Sequence, residues 1–221
     1  MDIVYKSKSC IVINKPAGVA AQSDLSGDKD AMILTGEHLA ALGESSDLWL
    51  VHRLDRTVGG LMAFARSKSS AAILSSLISE RKMTKEYLAV VDGIATGGVL
   101  KDYVYKSQRD GKAYVTDRER GGVKYAELEY APIETVETPK GHKTLVRVKL
   151  NTGRFHQIRV QFASRNMPLT GDGKYGSRDN GGKFPALFST LLEFKVGKEE
   201  VRAELLPNNE YPWSLFGMFK E

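Results

Sequence analysis

The stretch Val51-His52-Arg53-Leu54-Asp55-Arg56-Thr57-Val58-Gly59-Gly60-Leu61-Met62-Ala63-Phe64-Ala65 decides how the chain is read. It opens with charge and closes on the apolar run Leu61–Ala65. A short, continuous apolar run bounded by turn residues reads as a buried strand. Ser67 then offers a cap for a helix over residues 68–80, with Ile73, Leu74, Leu77 and Ile78 on its buried face. Gly59 and Gly60 stand between the acid and the strand, where glycine marks close backbone approach or unusual dihedrals. A phosphate-cradling loop needs different glycine spacing and a helix directly after it, so this is not one.

Asp55 lies between Arg53 and Arg56. Nearby positive charge favours an ionised carboxylate even when it is partly buried. Such an acid suits covalent nucleophilic chemistry, and it also suits a structural ion pair. Spacing alone leans to the ion pair, since charge networks are common outside active sites.

N-terminal to this stretch, residues 4–7 and 10–15 read as strands, and Asn14-Lys15-Pro16-Ala17-Gly18 closes the second as a turn. Lys15 is either a phosphate contact or the solvated end of a strand, its position favouring the second. Residues 25–30 read as a polar loop. Residues 31–42 read as a helix with Met32, Ile33, Leu39 and Leu42 on a loose apolar face and His38 at the surface.

C-terminal to it, Thr84–Val91 predicts a strand, Gly93–Gly98 a turn and residues 99–105 a hairpin arm. The span 106–121 sets Lys106, Arg109, Lys112, Arg118 and Arg120 against Asp110, Asp117 and Glu119. It reads equally as a solvated hairpin and as a mobile contact for a nucleic-acid backbone. Residues 122–135 alternate, with a phase change near 127 that predicts a bulge. A hairpin at Thr138–Gly141 leads into the alternating strand 144–150. Over 151–162 the period is ambiguous: Ile158, Val160 and Phe162 fit a strand, while Phe155, Ile158 and Phe162 fit a helical face. Met167–Tyr175 reads as loop, 186–196 and 201–206 as a last strand pair, and Tyr211–Phe216 as a tail packed on the body. Many strands and few helices predict an α+β fold, a mixed, mostly antiparallel sheet flanked by helices and loops, in a single domain spanning 1–221.

The 32 Lys+Arg residues against 27 Asp+Glu give a charge of +5, a modest bias toward a polyanionic partner. With Cys10 alone, an internal disulfide or a cysteine metal cluster is excluded, and a reducing compartment is expected. No apolar run reaches the length of a membrane span and no signal-like segment opens the chain, so the expectation is a cytoplasmic protein without membrane attachment.

His52-Arg53-Leu54-Asp55 followed by Gly60 resembles the signature of RNA pseudouridine synthases of the large-subunit and tRNA type. Asn14–Gly18 resembles that family's opening motif, and Lys85-Glu86-Tyr87-Leu88-Ala89 with Gly93 its tyrosine motif. Thr152-Gly153-Arg154-Phe155-His156-Gln157-Ile158-Arg159-Val160 is similar to its basic motif, and Gly171-Asp172 with Tyr175-Gly176 to the loop after it. The likeness runs from about residue 10 to 206.

The resemblance implies that a uridine in rRNA or tRNA is isomerised to pseudouridine, with no metal, nucleotide or redox cofactor and no obligate protein partner. It implies Asp55 as nucleophile, Tyr87 as the aromatic stacked on the target base, and Arg159 as the arginine paired with the catalytic carboxylate. Arg53 would enter the space left by the flipped base, with His52, Lys15, Arg56, Arg154 and Arg165 as further RNA contacts. Leu54, Ile158 and Leu187 would line the pocket. Attack at the sugar C1′, attack at the base C6 and abstraction of the C2′ proton all remain open. The chain departs from the family pattern at Val58-Gly59-Gly60, usually Thr-Ser-Gly, and at Leu187-Phe188-Ser189, often Leu-His-Ala. It is expected to lack the N-terminal RNA-binding module of many relatives, leaving RNA choice to the catalytic domain. Two alternatives stand beside this reading. One is a catalytically inactive RNA-binding protein on the same scaffold. The other is a hydrolase of N-glycosidic bonds using Asp55 with His52 or His156 as acid and base.

Overall fold

The computed structural model describes residues 1–23 and 27–220. In chain order its strands and α-helices are β1 (Asp2–Lys6), β2 (Cys10–Lys15), α1 (Ala31–Ala41), β3 (Trp49–Leu50), β4 (Gly59–Ala65), α2 (Lys68–Ser79), β5 (Thr84–Asp92), β6 (Gly98–Ser107), β7 (Lys112–Thr116), β8 (Val123–Thr138), β9 (Gly141–Leu150), α3 (Gln157–Ala163), β10 (Leu187–Val196) and β11 (Glu199–Glu204). The predicted loop over 25–30 lies partly outside the described residues; Gly27–Asp30 is irregular. Two compact units are formed, one from Met1–Lys85 and Phe188–Pro207, the other from Glu86–Leu187 and the residues from Asn208 onward.

In the first unit β4 pairs antiparallel with β2 and β3 and parallel with β10, while β1 pairs with β2 and β11 with β10, both antiparallel. All seven residues of β4 are buried, as a strand covered on both faces requires. The parallel contact is made by Phe188 against Gly59 and Ser189 against Gly60. Gly60 has φ +106°, and a Cβ there would lie 2.3 Å from the Ser189 carbonyl oxygen. The glycine pair thus marks close backbone approach, as the sequence predicts. Ser67 caps α2 by accepting from Ser70 N at 3.1 Å. Leu74 is buried against Val12, Leu61, Ala63 and Phe194, but Ile73 is 46% exposed, contrary to expectation. Consecutive helical residues point about 100° apart, so the face set by Leu74 turns Ile73 outward.

The second unit carries an antiparallel sheet, β5 with β9, β9 with β8, β8 with β6 and β6 with β7. The sheets are therefore mixed in the first unit and antiparallel in the second, matching the predicted class. The 106–121 span is the β6–β7 hairpin and the irregular segment after it. The register shift in β8 falls between Pro132 and Glu134, not near 127. Pairing with β6 runs without interruption from Val123 to Tyr130, so the sequence phase change at 127 reflects a switch in which face is apolar. The ambiguous segment contains a helix, α3, whose residues Gln157 to Phe162 are all buried. Its polar residues face protein partners and not water, which hides the helical period. Trp213, Leu215, Phe216 and Phe219 of the tail pack on Leu88, Val90 and Leu145.

Candidate active site

In the first unit the charged segment leaves the edge of β4 where the short β3 ends. Further along that edge, Ala63 N donates to His52 Nε2 at 3.0 Å, so the imidazole stands in for a missing strand partner. Desolvation of the ring, aided by the Lys85 charge, pushes its pKa down to about 3. The ring is neutral near pH 7, with one nitrogen committed as an acceptor.

Lys15, at the end of β2, is fully buried. Its ammonium donates to the carbonyls of Pro16 (2.9 Å), Val19 (2.7 Å) and Arg56 (3.4 Å). Both readings made from sequence, phosphate contact and solvated strand end, are therefore wrong. A cation with no exposed surface cannot meet a phosphate, and it is retained because three carbonyls replace its water. Burial lowers its pKa to about 8, against an opposing attraction from the Asp55 carboxylate.

Arg56 ties the same turn to the acid-bearing segment. Its Nε donates to Gly18 O at 2.9 Å, its carbonyl accepts from Gly18 N at 2.7 Å, and its guanidinium pairs with Asp28. Asp55 O accepts from Val58 N at 3.0 Å, closing a turn that leads into β4. Leu54 is buried and Arg53 exposed. The two departures from the family pattern meet in space: a Cβ at Gly59 would stand 3.4 Å from Phe188 Cδ2. The Thr57 and Ser189 hydroxyls are buried without a hydrogen-bond partner among the described residues.

In the second unit Arg159 sits on α3 with Asp172 as a two-point partner, Nε to Oδ2 at 2.7 Å and Nη2 to Oδ1 at 2.8 Å. Both residues are buried. Removing one member of such a pair strands the other charge and costs about 3–5 kcal/mol. The guanidinium also lies over the Tyr175 ring, 5.0 Å from its centroid. Tyr175 Oη accepts from Ala113 N at 2.7 Å and lies 2.8 Å from His156 Nδ1. Burial, reinforced by the Arg159, Lys174 and Lys106 charges, pushes the His156 pKa down to about 3. The imidazole tautomer sets whether Nδ1 accepts from or donates to the tyrosine hydroxyl. His156 takes φ 52° at the start of α3 and stacks on Phe155 at 3.8 Å.

These two histidines are the acid and base of the hydrolase alternative, and each has one ring nitrogen occupied by a structural bond, Nε2 of His52 and Nδ1 of His156.

Arg154 Nε donates to Tyr125 O at 2.8 Å, and Arg165 forks onto Asp102 at 2.9 and 3.1 Å. Their guanidinium groups are thus anchored on protein acceptors. Tyr87 is buried on β5 opposite Val148; Ile158 and Leu187 are also buried. Sequence reasoning assigned no role to Gln157, Asp172 or Tyr175. Gln157 accepts from Thr152 Oγ1 (2.8 Å) and Arg154 N (2.9 Å) and donates to Glu127 O (3.0 Å), which fixes the start of α3. The available signal for the other two was the Gly171-Asp172 and Tyr175-Gly176 pairs, already visible as a motif.

Residues 9–164 match the family model described as RNA pseudouridylate synthase. The chain is 32% identical over 199 residues to the ribosomal large subunit pseudouridine synthase D of Pasteurella multocida, covering 88% of this chain and 59% of that protein. It is 31% identical over 198 residues to the protein of the same name from Escherichia coli K12, again covering 88% and 59%. The chain thus spans about three fifths of the length of these curated relatives. Among solved structures it resembles human RNA pseudouridylate synthase domain containing 1, with a TM-score of 0.79, 22% identity, and coverage of 96% of this chain and 84% of that one. That likeness shows the fold.

Proposed function

The chain belongs to the RNA pseudouridylate synthase family, and from that premise we propose that it isomerises uridine in RNA to pseudouridine with Asp55 as the catalytic carboxylate. The observation that carries this reading is the family match over residues 9–164, which spans the turn holding Asp55. The relatives' names favour large-subunit rRNA as the substrate over tRNA. Among the described residues no helix is long and apolar enough to cross a membrane, and the relatives' ribosomal names favour the cytoplasm as the place of action.

The reaction breaks the N1–C1′ bond, turns the uracil and joins C5 to C1′. Atoms are conserved, so the protein's task is to hold a detached base and supply a carboxylate. A base inside a stack cannot be turned, so the nucleotide is extruded. Exposed Arg53, two residues before Asp55, fills the space left behind. Tyr87 stacks on the uracil, and Arg159 supplies the positive charge that pairs with the nucleophile. Leu54, Ile158 and Leu187 supply apolar pocket walls. Phosphate contacts come from the 106–120 span, with Lys15 withdrawn from that role by its burial. Both compact units serve one catalytic domain spanning 1–221. Retention of Asp55, Tyr87 and Arg159 favours an active enzyme over an idle scaffold.

The deciding experiment is a pseudouridine map of total RNA from cells with and without this protein. A uridine modified only in its presence supports the assignment and names the substrate. Identical maps, together with no tritium release from C5-labelled RNA by purified protein, overturn it.

A further inference from the structure

We infer that Ser177 is a positioning residue for Arg159, its hydroxyl locking the turn that carries Asp172 onto an ionic cluster of half-buried Asp92 with buried Lys143 and Asp179. The inference rests on the proposed role of Arg159 and deepens it.

Lys143 is 2% exposed, and its ammonium reaches Asp92 Oδ1 and Asp179 Oδ2, each at 2.8 Å. Thr170 Oγ1 donates to Asp92 Oδ1 at 2.7 Å. None of these groups has a part in the reaction as derived above. Burying a cation between two carboxylates is costly unless the geometry is well satisfied, so the cluster forms a stiff, directional anchor. It joins the end of β5, the start of β9 and the loop between α3 and β10.

That loop carries the counter-ion of Arg159 and has little regular structure of its own beyond a 3-10 turn at Gly173–Tyr175. Its start is pinned by backbone bonds, Asp92 N to Pro168 O and Thr170 N to Val90 O, both at 2.8 Å. Gly171 then takes φ +82°, with Phe184 O only 2.7 Å from where a Cβ would be. The far side of the turn depends on Ser177. Its Oγ donates to Asp92 Oδ2 at 2.7 Å and accepts from Gly171 N at 3.2 Å and Asp179 N at 3.3 Å. Its backbone N donates to Asp172 O at 3.1 Å. One buried hydroxyl therefore connects the ionic anchor to Gly171, the residue before Asp172, while the Ser177 backbone holds Asp172 itself. Asp172 in turn fixes both the direction and the plane of the Arg159 guanidinium. A displacement of about 1 Å at a catalytic group can cost about a hundredfold in rate.

The test compares Ser177→Ala with Tyr211→Phe, which removes a hydrogen bond to Asp179 Oδ2 in the same cluster and leaves the Ser177 bonds in place. On C5-tritiated RNA, Ser177→Ala is expected to lower kcat about tenfold or more with KM within about twofold, while Tyr211→Phe keeps both. If the alanine variant does not fold, Ser177→Cys fills the space with a weaker hydrogen-bonding group, and the same kcat loss is expected. Exchange of the Arg159 Nε proton, followed by NMR, should quicken in the Ser177 variant alone. A Ser177 variant with wild-type kcat, a loss confined to KM, or an equal kcat loss in Tyr211→Phe overturns the inference. If wild-type protein forms no pseudouridine, the proposed function fails, and the proton-exchange comparison still decides the positioning claim.

Discussion

Phe188 lies against the bare backbone of Gly59, its Cδ2 3.4 Å from the place of the missing Cβ. The family pattern usually has a hydroxyl residue at 59 and often a histidine at 188; here a glycine faces an apolar ring. A small residue on one strand makes room for a large one on its neighbour, and the parallel β4–β10 contact survives.

The neighbouring glycine has no such latitude. Gly60→Ala is expected to cost more than about 3 kcal/mol, because its left-handed backbone and the Ser189 carbonyl both exclude a side chain. Gly59→Ala is expected to cost less than about 1.5 kcal/mol, its nearest contacts being at 3.4 Å. Urea unfolding of the two variants checks the contrast.

Asp55→Asn is expected to abolish pseudouridine formation while leaving the fold and RNA affinity largely intact. An amide keeps the shape of the side chain but is not a nucleophile at neutral pH. Tritium release from C5-labelled RNA, measured beside RNA binding, is the check; full activity in the variant contradicts the assignment.

Lys15→Met removes a buried donor from three backbone carbonyls. The expected loss of stability is about 2–4 kcal/mol, by the usual cost of stranding buried acceptors. Because Lys15 has no exposed surface, the slope of RNA affinity against salt concentration should not change. A slope reduced by about one, the signature of one lost phosphate contact, would contradict its structural role.

Acid should destabilise the fold in a defined window. His52 and His156 have folded pKa values of about 3, below the ordinary 6.5. Between those limits the unfolded chain binds more protons than the folded one, so stability falls as pH drops from about 6.5 toward 3. Each histidine contributes at most about 1.4 kcal/mol per pH unit. Urea unfolding from pH 7 to pH 4.5 measures the slope, and His52→Gln should flatten it.

Much of the architecture was legible in the residues. Apolar runs and glycine-rich turns located most strands, because a buried strand must be apolar and a tight turn needs glycine or proline. The serine cap of α2 and the close approach at Gly59-Gly60 were local features with local signatures. The motifs around Asp55, Tyr87 and Arg159 were visible for the same reason: each is a short, contiguous pattern.

What only the tertiary structure decided depended on partners distant in the chain. Segment 157–163 became a helix although its polar residues gave no exposed face, since Gln157, Arg159 and Gln161 find partners at residues 127, 172 and 102. Lys15 read as a surface charge until three carbonyls enclosed it. Ser177 carried no signal, because a lone serine becomes informative only when folding brings Asp92 beside it. A sequence displays periodicity and chain-local chemistry; which charges are buried, and against what, is fixed by packing between segments far apart.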